Sequence, residues 1–217
     1  MASPAACLFD LDGLLLDTEP LHARAWRQAS QHFGRDLCEA ELLELRGRRR
    51  LDCARQVGAW IREQRGQAPS VQELLEVRQP IAERLLVQAP AIDGAPELLQ
   101  RCTELAIPMA LVTSSARASV ALKSAPHPWL EAIVERVHGD EPELRAGKPA
   151  PDPFLLAAQR LGVAPERCWA FEDSLAGATA AATAGCQVVV LISSSDEPAC
   201  FPPGTRCLHS LREVELR

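Results

Sequence analysis

Two carboxylates separated by a single residue, Asp10 and Asp12, follow directly on the apolar run Ala5 to Phe9. On an extended backbone residues i and i+2 point the same way, so each carboxylate disfavours ionisation of the other unless a cation or hydrogen-bond donors relieve the repulsion. A divalent metal is the economical relief, although such a pair also occurs simply as a loop cap. A second pair, Glu172 and Asp173, closes the run Cys168 to Phe171 and precedes a helical stretch. There Asp173 or Ser174 could instead satisfy the free amides of that helix as an N-cap. Taken together, the two pairs supply hard oxygen ligands of the kind Mg2+ prefers. The triplet Thr113, Ser114, Ser115 ends the run Met109 to Val112. Hydroxyls and free amides at a strand-to-helix turn bind phosphate oxygens, or else cap the helix. Lys148 lies in the proline-braced loop Ala146 to Phe154. Lys123 and Lys148 are the only lysines among 23 basic residues, so a loop lysine points to a site needing a compact ammonium rather than a guanidinium fork. Lys123 is expected on a surface helix, with no such context.

These groups can act together only if the elements before them end at one place. Short apolar runs at Ala5 to Phe9, Met109 to Thr113, Ile133 to Val137, Cys168 to Phe171 and Gln187 to Ile192 read as buried strands. Between them helices are expected at Ala95 to Leu105, from Ala116, at Pro153 to Leu161, and at Ser174 to Ala184 with Gly185 as the stop. Strands alternating with helices predict an α/β fold, a doubly wound parallel sheet whose binding crevice lies at the carboxyl ends of the strands. From Glu19 to Pro90 the spacing is helical throughout, as at Leu21, Ala25, Ala29 and then Ala40, Leu43, Leu45. This block reads as a helical insertion, residues 19–90, into a core formed by residues 1–18 and 91–217. The stretch Ser193 to Pro203 is expected to be loop.

Composition narrows the function. A chain of 217 residues, 47% apolar and 24% charged, buries a sizeable core and is not expected to be disordered. Its net charge of -6 argues against nucleic acid or an acidic membrane as partner, since such binding rests on excess positive charge. The block 19–90 carries 12 arginines against 10 acids, leaving -8 on the remainder; the acidic part suits a cation and the basic part an anionic substrate. Absence of Tyr removes mechanisms that need a phenol. Eight scattered cysteines without a C-x-x-C pair read as reduced, mostly buried thiols, which points to a cytosolic protein. No apolar run reaches the ~18 residues of a membrane span, and the N-terminal residues show no basic region of a secretory signal.

Four segments in order, FDLDGLLLDTEP (9–20), LVTSS (111–115), GKPAPDPF (147–154) and FEDSLAGATAAATAG (171–185), resemble the four motifs of the haloacid dehalogenase superfamily. A helical block straight after the first motif is similar to that superfamily's first cap class, found in sugar-phosphate phosphatases and β-phosphoglucomutase. Within it, the segments around motifs two to four look most like the pseudouridine-5'-phosphatase and glycerol-phosphatase branch. The resemblance implies a Rossmann-like core with a small α-helical cap, and a Mg2+-dependent phosphatase acting on a small phosphorylated metabolite (a sugar, polyol or nucleoside monophosphate). It implies Asp10 as nucleophile and Asp12 as acid and base. It implies a Mg2+ held by Asp10, the backbone carbonyl of Asp12, Glu172 and Asp173. Thr113 and Ser114 would bind the phosphoryl oxygens, and Lys148 would offset their charge. Dehalogenases need neither the carboxylate at position 12 nor the pair at 172 and 173, so these residues favour phosphoryl chemistry.

In the cap, Arg46, Arg48, Arg49 and Arg50 cluster around Gly47. Arg50 is a candidate contact to the substrate, as is His22 near the hinge expected at Asp17 to Pro20. A run of arginines is otherwise a solvated face. A sugar phosphomutase, and a non-catalytic protein that binds phosphorylated metabolites, are the alternatives to hydrolysis. The chain is expected to be a monomer.

Overall fold

The computed structural model describes residues 3–45, 50–193 and 197–216. The chain divides into two units, one of Met1–Asp17 with Pro90–Arg217 and the other of Thr18–Ala89.

The first unit is built on a parallel sheet. Its strands are β1 (Ala6–Phe9), β2 (Met109–Val112), β3 (Glu135–Val137), β4 (Cys168–Glu172), β5 (Gln187–Leu191) and β6 (Arg206–Leu208), in the order β3-β2-β1-β4-β5-β6. Every pairing is parallel. Strands β1, β2 and β4 are buried along their whole length, as expected where helices cover both faces. Side chains alternate across them. Ala6 and Leu8 of β1 join Ala110 and Val112 of β2 and Val188 and Val190 of β5 in one core. That core takes Phe154, Ala157 and Ala158 from a helix at Asp152–Leu161 and Ala178, Ala180 and Ala181 from a helix at Leu175–Thr183. The alternate residue Phe9 stacks on Phe171, its register partner, with ring centroids 4.8 Å apart.

Because the chain leaves β1 for β2 on one side and returns through β4 on the other, the sheet changes direction at β1. The crevice of such a sheet opens beyond the carboxyl ends at this switch point. Asp10 follows β1, Thr113 follows β2 and Glu172 ends β4, and the ladder continues into the site through the Asp10 amide, which donates to the Phe171 carbonyl at 3.0 Å. Strand β6 lies beyond the stretch read as loop, where the sequence reading placed no element, because a three-residue edge strand offers too few positions for an alternating pattern. One expectation fails here. Lys123 is not on a surface: with Val120 it forms the buried face of the helix Arg117–Ser124.

The second unit contains, among its described residues, helices at Glu19–His32, Glu39–Leu45, Arg50–Arg65 and Val71–Leu86. Its core gathers Trp26, Leu42, Leu45, Val57, Trp60 and Leu74; Leu43, read as part of an apolar face, is 65% exposed. The fourth helix starts with a capping box, in which the Glu73 amide donates to Ser70 Oγ at 3.2 Å and the Ser70 amide to Glu73 Oε2 at 2.8 Å. All eight cysteines are free thiols, and Cys7, Cys53, Cys102, Cys168 and Cys186 are buried. No helix among the described residues is long and apolar enough to cross a membrane.

Candidate active site

The helices among the described residues are α1 (Glu19–His32), α2 (Glu39–Leu45), α3 (Arg50–Arg65), α4 (Val71–Leu86), α5 (Ala95–Glu104), α6 (Arg117–Ser124), α7 (Asp152–Leu161) and α8 (Leu175–Thr183). Asp10, Glu172 and Asp173 bring carboxylate oxygens within 4.8 Å of one another. The Lys148 ammonium uses its three donors in this cluster, reaching Asp10 Oδ1 at 2.6 Å, the Val112 carbonyl at 2.7 Å and Glu172 Oε1. It also lies 5.2 Å from the Phe154 ring. Three acceptors gathered at the carboxyl ends of three strands suit a point charge with rotatable donors, which explains a lysine in a chain that otherwise uses arginine.

Burial sets the electrostatics. Loss of solvent pushes the Asp10 carboxyl above its usual range, Lys148 opposes this, and the Asp12 charge adds to it. Glu172, wholly buried, is pushed up to about 7 by the same loss of solvent, against Lys148 and with Asp10. Burial alone would lower Lys148, but the two carboxylates raise it and keep it charged. Three carboxylates against one ammonium leave a formal charge of -2 in a nearly dry pocket, which is the charge a divalent cation balances.

Close packing around these oxygens leaves little freedom in how they sit. A Cβ at Gly13, whose φ is +88, would collide with the Asp173 carboxylate, and one at Gly177 with the Glu172 carboxylate. Both glycines therefore make room for an oxygen. Of the two N-cap candidates the structure selects Ser174: its Oγ accepts from the Gly177 amide at 3.1 Å and donates to Glu172 Oε2 at 3.2 Å. The Asp173 carboxylate lies in the oxygen cluster with Asp10 and Glu172. The all-oxygen donor set fits a hard divalent ion such as Mg2+, with Asp10 and Asp173 nearest to solvent access and Glu172 deepest.

Thr113 is buried and its Oγ1 accepts from the Ser115 amide at 3.1 Å, leaving its own O–H to donate. Ser114 is exposed at the turn, beside Gly139, whose amide donates to the Ser115 carbonyl at 2.9 Å. The Asp12 carboxylate is outside the oxygen cluster. Both its oxygens accept from Lys123 Nζ, at 2.6 and 2.5 Å, and Ser115 Oγ donates to Oδ2 at 2.7 Å. Lys123 is thus the site residue that the sequence reading passed over, and Ser115, read with Thr113 and Ser114 as a phosphate-binding or capping hydroxyl, instead holds Asp12. The signal was present: Val120 and Lys123, three apart, share one face of α6, and that face is apolar.

The two cap candidates make contacts within the second unit. Arg50 is exposed and donates to Gln79 Oε1 at 3.3 Å. His22 Nδ1 lies 2.8 Å from a guanidinium nitrogen of Arg78. Arg78 is buried over the Trp26 ring, 4.6 Å from its centroid, and loss of solvent pushes it down to about 10. Arg46, Arg48 and Arg49 lie outside the described residues.

A parallel sheet whose switch point carries this acid and lysine set defines a class, and sequence comparison agrees with it. The chain matches the haloacid dehalogenase-like hydrolase family over residues 4–185 and belongs to that family. It is 36% identical over 189 residues to a probable pseudouridine-5'-phosphatase of Drosophila melanogaster, covering 85% of this chain and 80% of that one. It is 32% identical over 214 residues to hexitol phosphatase A of Escherichia coli, covering 96% and 92%. Among solved structures, CbbY of Rhodobacter sphaeroides in complex with phosphate superposes with a TM-score of 0.78 at 27% identity, covering 97% of this chain and 96% of that one.

Proposed function

We infer that this hydrolase removes phosphate from a small phosphorylated metabolite, a sugar, polyol or nucleoside monophosphate, through a phosphorylated Asp10 and with Mg2+ as cofactor. The enzyme is a phosphomonoesterase of the haloacid dehalogenase type. One observation carries the reading: Lys148 joins Asp10 to Glu172 inside an oxygen cluster completed by Asp173, at the ends of adjacent strands.

In the first displacement an Asp10 oxygen attacks phosphorus and the substrate's alkoxide leaves, taking a proton from Asp12, which is ionised against Lys123 in the free protein and picks that proton up from the monoanionic substrate as it binds. In the second, Asp12 takes a proton from water as the water oxygen attacks the same phosphorus, and Asp10 is released as carboxylate. Thr113 and the Ser114 amide hold the phosphoryl oxygens. Lys148 offsets the charge that builds on them while also holding Asp10 in its attacking orientation. Asp10, the Asp12 carbonyl, Asp173 and Glu172 would hold Mg2+, which when bound neutralises phosphoryl charge and orients the group.

Asp10→Asn keeps the shape of the residue and removes its nucleophilic charge, so phosphate release from simple phosphomonoesters in Mg2+ should fall at least about a thousandfold. A variant that kept the parental rate would overturn the mechanism. The same assay with a hexose 1-phosphate separates hydrolysis, which liberates phosphate, from the mutase alternative, which converts the sugar phosphate and liberates none.

A further inference from the structure

We propose that Lys123 is a positioning residue for the reaction, locking the direction of the Asp12 carboxylate with Ser115 as the third member of the lock. The inference rests on the reading of Asp12 given above, and it concerns geometry.

An aspartate at the end of a strand is free to rotate about two bonds. Here three contacts remove that freedom. Lys123 Nζ donates to both carboxylate oxygens and, at 2.8 Å, to Ser115 Oγ, which passes its own hydrogen to Asp12 Oδ2. The arrangement closes a ring of three groups drawn from β1's end, the turn after β2 and the last turn of α6. Lys123 is 0% exposed, so its stem is gripped by the core and the ammonium has one place to be. An ammonium buried this deeply persists only with a partner of opposite charge. Asp12, whose side chain keeps 19% of its exposure, is the member of the pair that faces the crevice. The carboxylate that must meet a leaving oxygen is therefore aimed by a buried residue that stands outside the cluster of Asp10, Glu172 and Asp173. A misplacement of about 1 Å in such a group is enough to cost a hundredfold in rate.

A lysine that only filled space could be replaced by methionine, which has similar length and no charge, with little kinetic effect. Lys123→Met therefore separates the roles, and leaving-group dependence supplies the readout. A 4-nitrophenyl phosphate departs without a proton, whereas an alkyl phosphate such as glycerol phosphate departs as an alkoxide that needs one. If Lys123 aims Asp12, the variant loses about 10- to 100-fold in kcat on the alkyl ester with KM little changed, and several-fold less on the aryl ester. The ratio of the two rates does not depend on how much of the variant is folded, so it is readable even from a poorly stable preparation. Ser115→Ala, which leaves the ammonium in place, should shift that ratio in the same direction by a smaller factor. In an Asp12→Asn background Lys123→Met should add no further loss on the alkyl ester. An unchanged ratio in both variants, or a full additional loss in the Asp12→Asn background, would overturn the proposal. Failure of the underlying reading looks different: the unaltered enzyme would release no phosphate from either ester, or Asp12→Asn would match it.

Discussion

The two lysines of this chain hold carboxylates two residues apart in sequence, and they do so under opposite charge balances. Around Lys148 stand Asp10, Glu172 and Asp173, three negative groups for one positive, in a pocket where Glu172 is fully buried. Around Lys123 stand Asp12 and the neutral hydroxyl of Ser115, one negative group for one positive. The first cluster is short of positive charge and therefore suits a divalent ion. The second is balanced and has no electrostatic use for a metal. The same residue type thus serves charge compensation in one place and geometry in the other, and what decides between them is the number of carboxylates the fold delivers to each ammonium.

That contrast can be attacked from the strongest effect downward. Lys148→Met should lower kcat by about two to three orders of magnitude, the cost of removing one donor aimed at developing phosphoryl charge. Binding of Mg2+, measured by calorimetry, should survive it, because the variant leaves every carboxylate in place; a variant that lost rate and metal together would erase the distinction between the two roles. Asp173→Asn should do the reverse at the metal, weakening Mg2+ by about 10- to 100-fold. Lys123→Met, by contrast, should leave Mg2+ affinity at its parental value.

A smaller and graded effect is expected from pH. Mg2+ binds the deprotonated carboxylates, and burial raises both Asp10 and Glu172, the latter to about 7. Mg2+ affinity should accordingly climb with pH and level off above about 7. For the metal-free protein the sign is opposite. Between the ordinary value of 4.5 for Glu172 and about 7, the folded state holds a proton that the unfolded chain has shed, so stability declines as pH rises through that window. Thermal unfolding with and without Mg2+ checks both slopes; parallel curves would mean that the proton and the metal do not share the cluster.

Much of this is legible in the sequence. A buried strand declares itself by a short apolar run, and the residue after such a run lies at the strand's carboxyl end, so Asp10, Thr113 and Glu172 could be placed at one rim of a parallel sheet from local pattern alone. Lys148 stood out because the chain hardly uses lysine. Ser174 as helix cap was one of two candidates, and only the backbone direction of α8 chose it. Strand β6 left too short a signature to be seen. Lys123 was misread because a lone cation on a helix is usually solvated; its spacing from Val120 hinted otherwise, but its partner is 111 residues away.

By itself, then, the sequence determined the alternation of strands and helices, the carboxylates, hydroxyls and lysine that end the strands, and the helical insertion's composition. These follow from periodicity and residue type within a few positions of one another. Which carboxylate meets which ammonium was decided by the tertiary structure. The parallel register of β1 with β2, Leu8 beside Ala110, fixes the turn that carries Ser115 and the helix that carries Lys123 against Asp12. Partner choice of this kind depends on the pairing of distant strands and on which face of a helix is buried, neither of which any single segment contains.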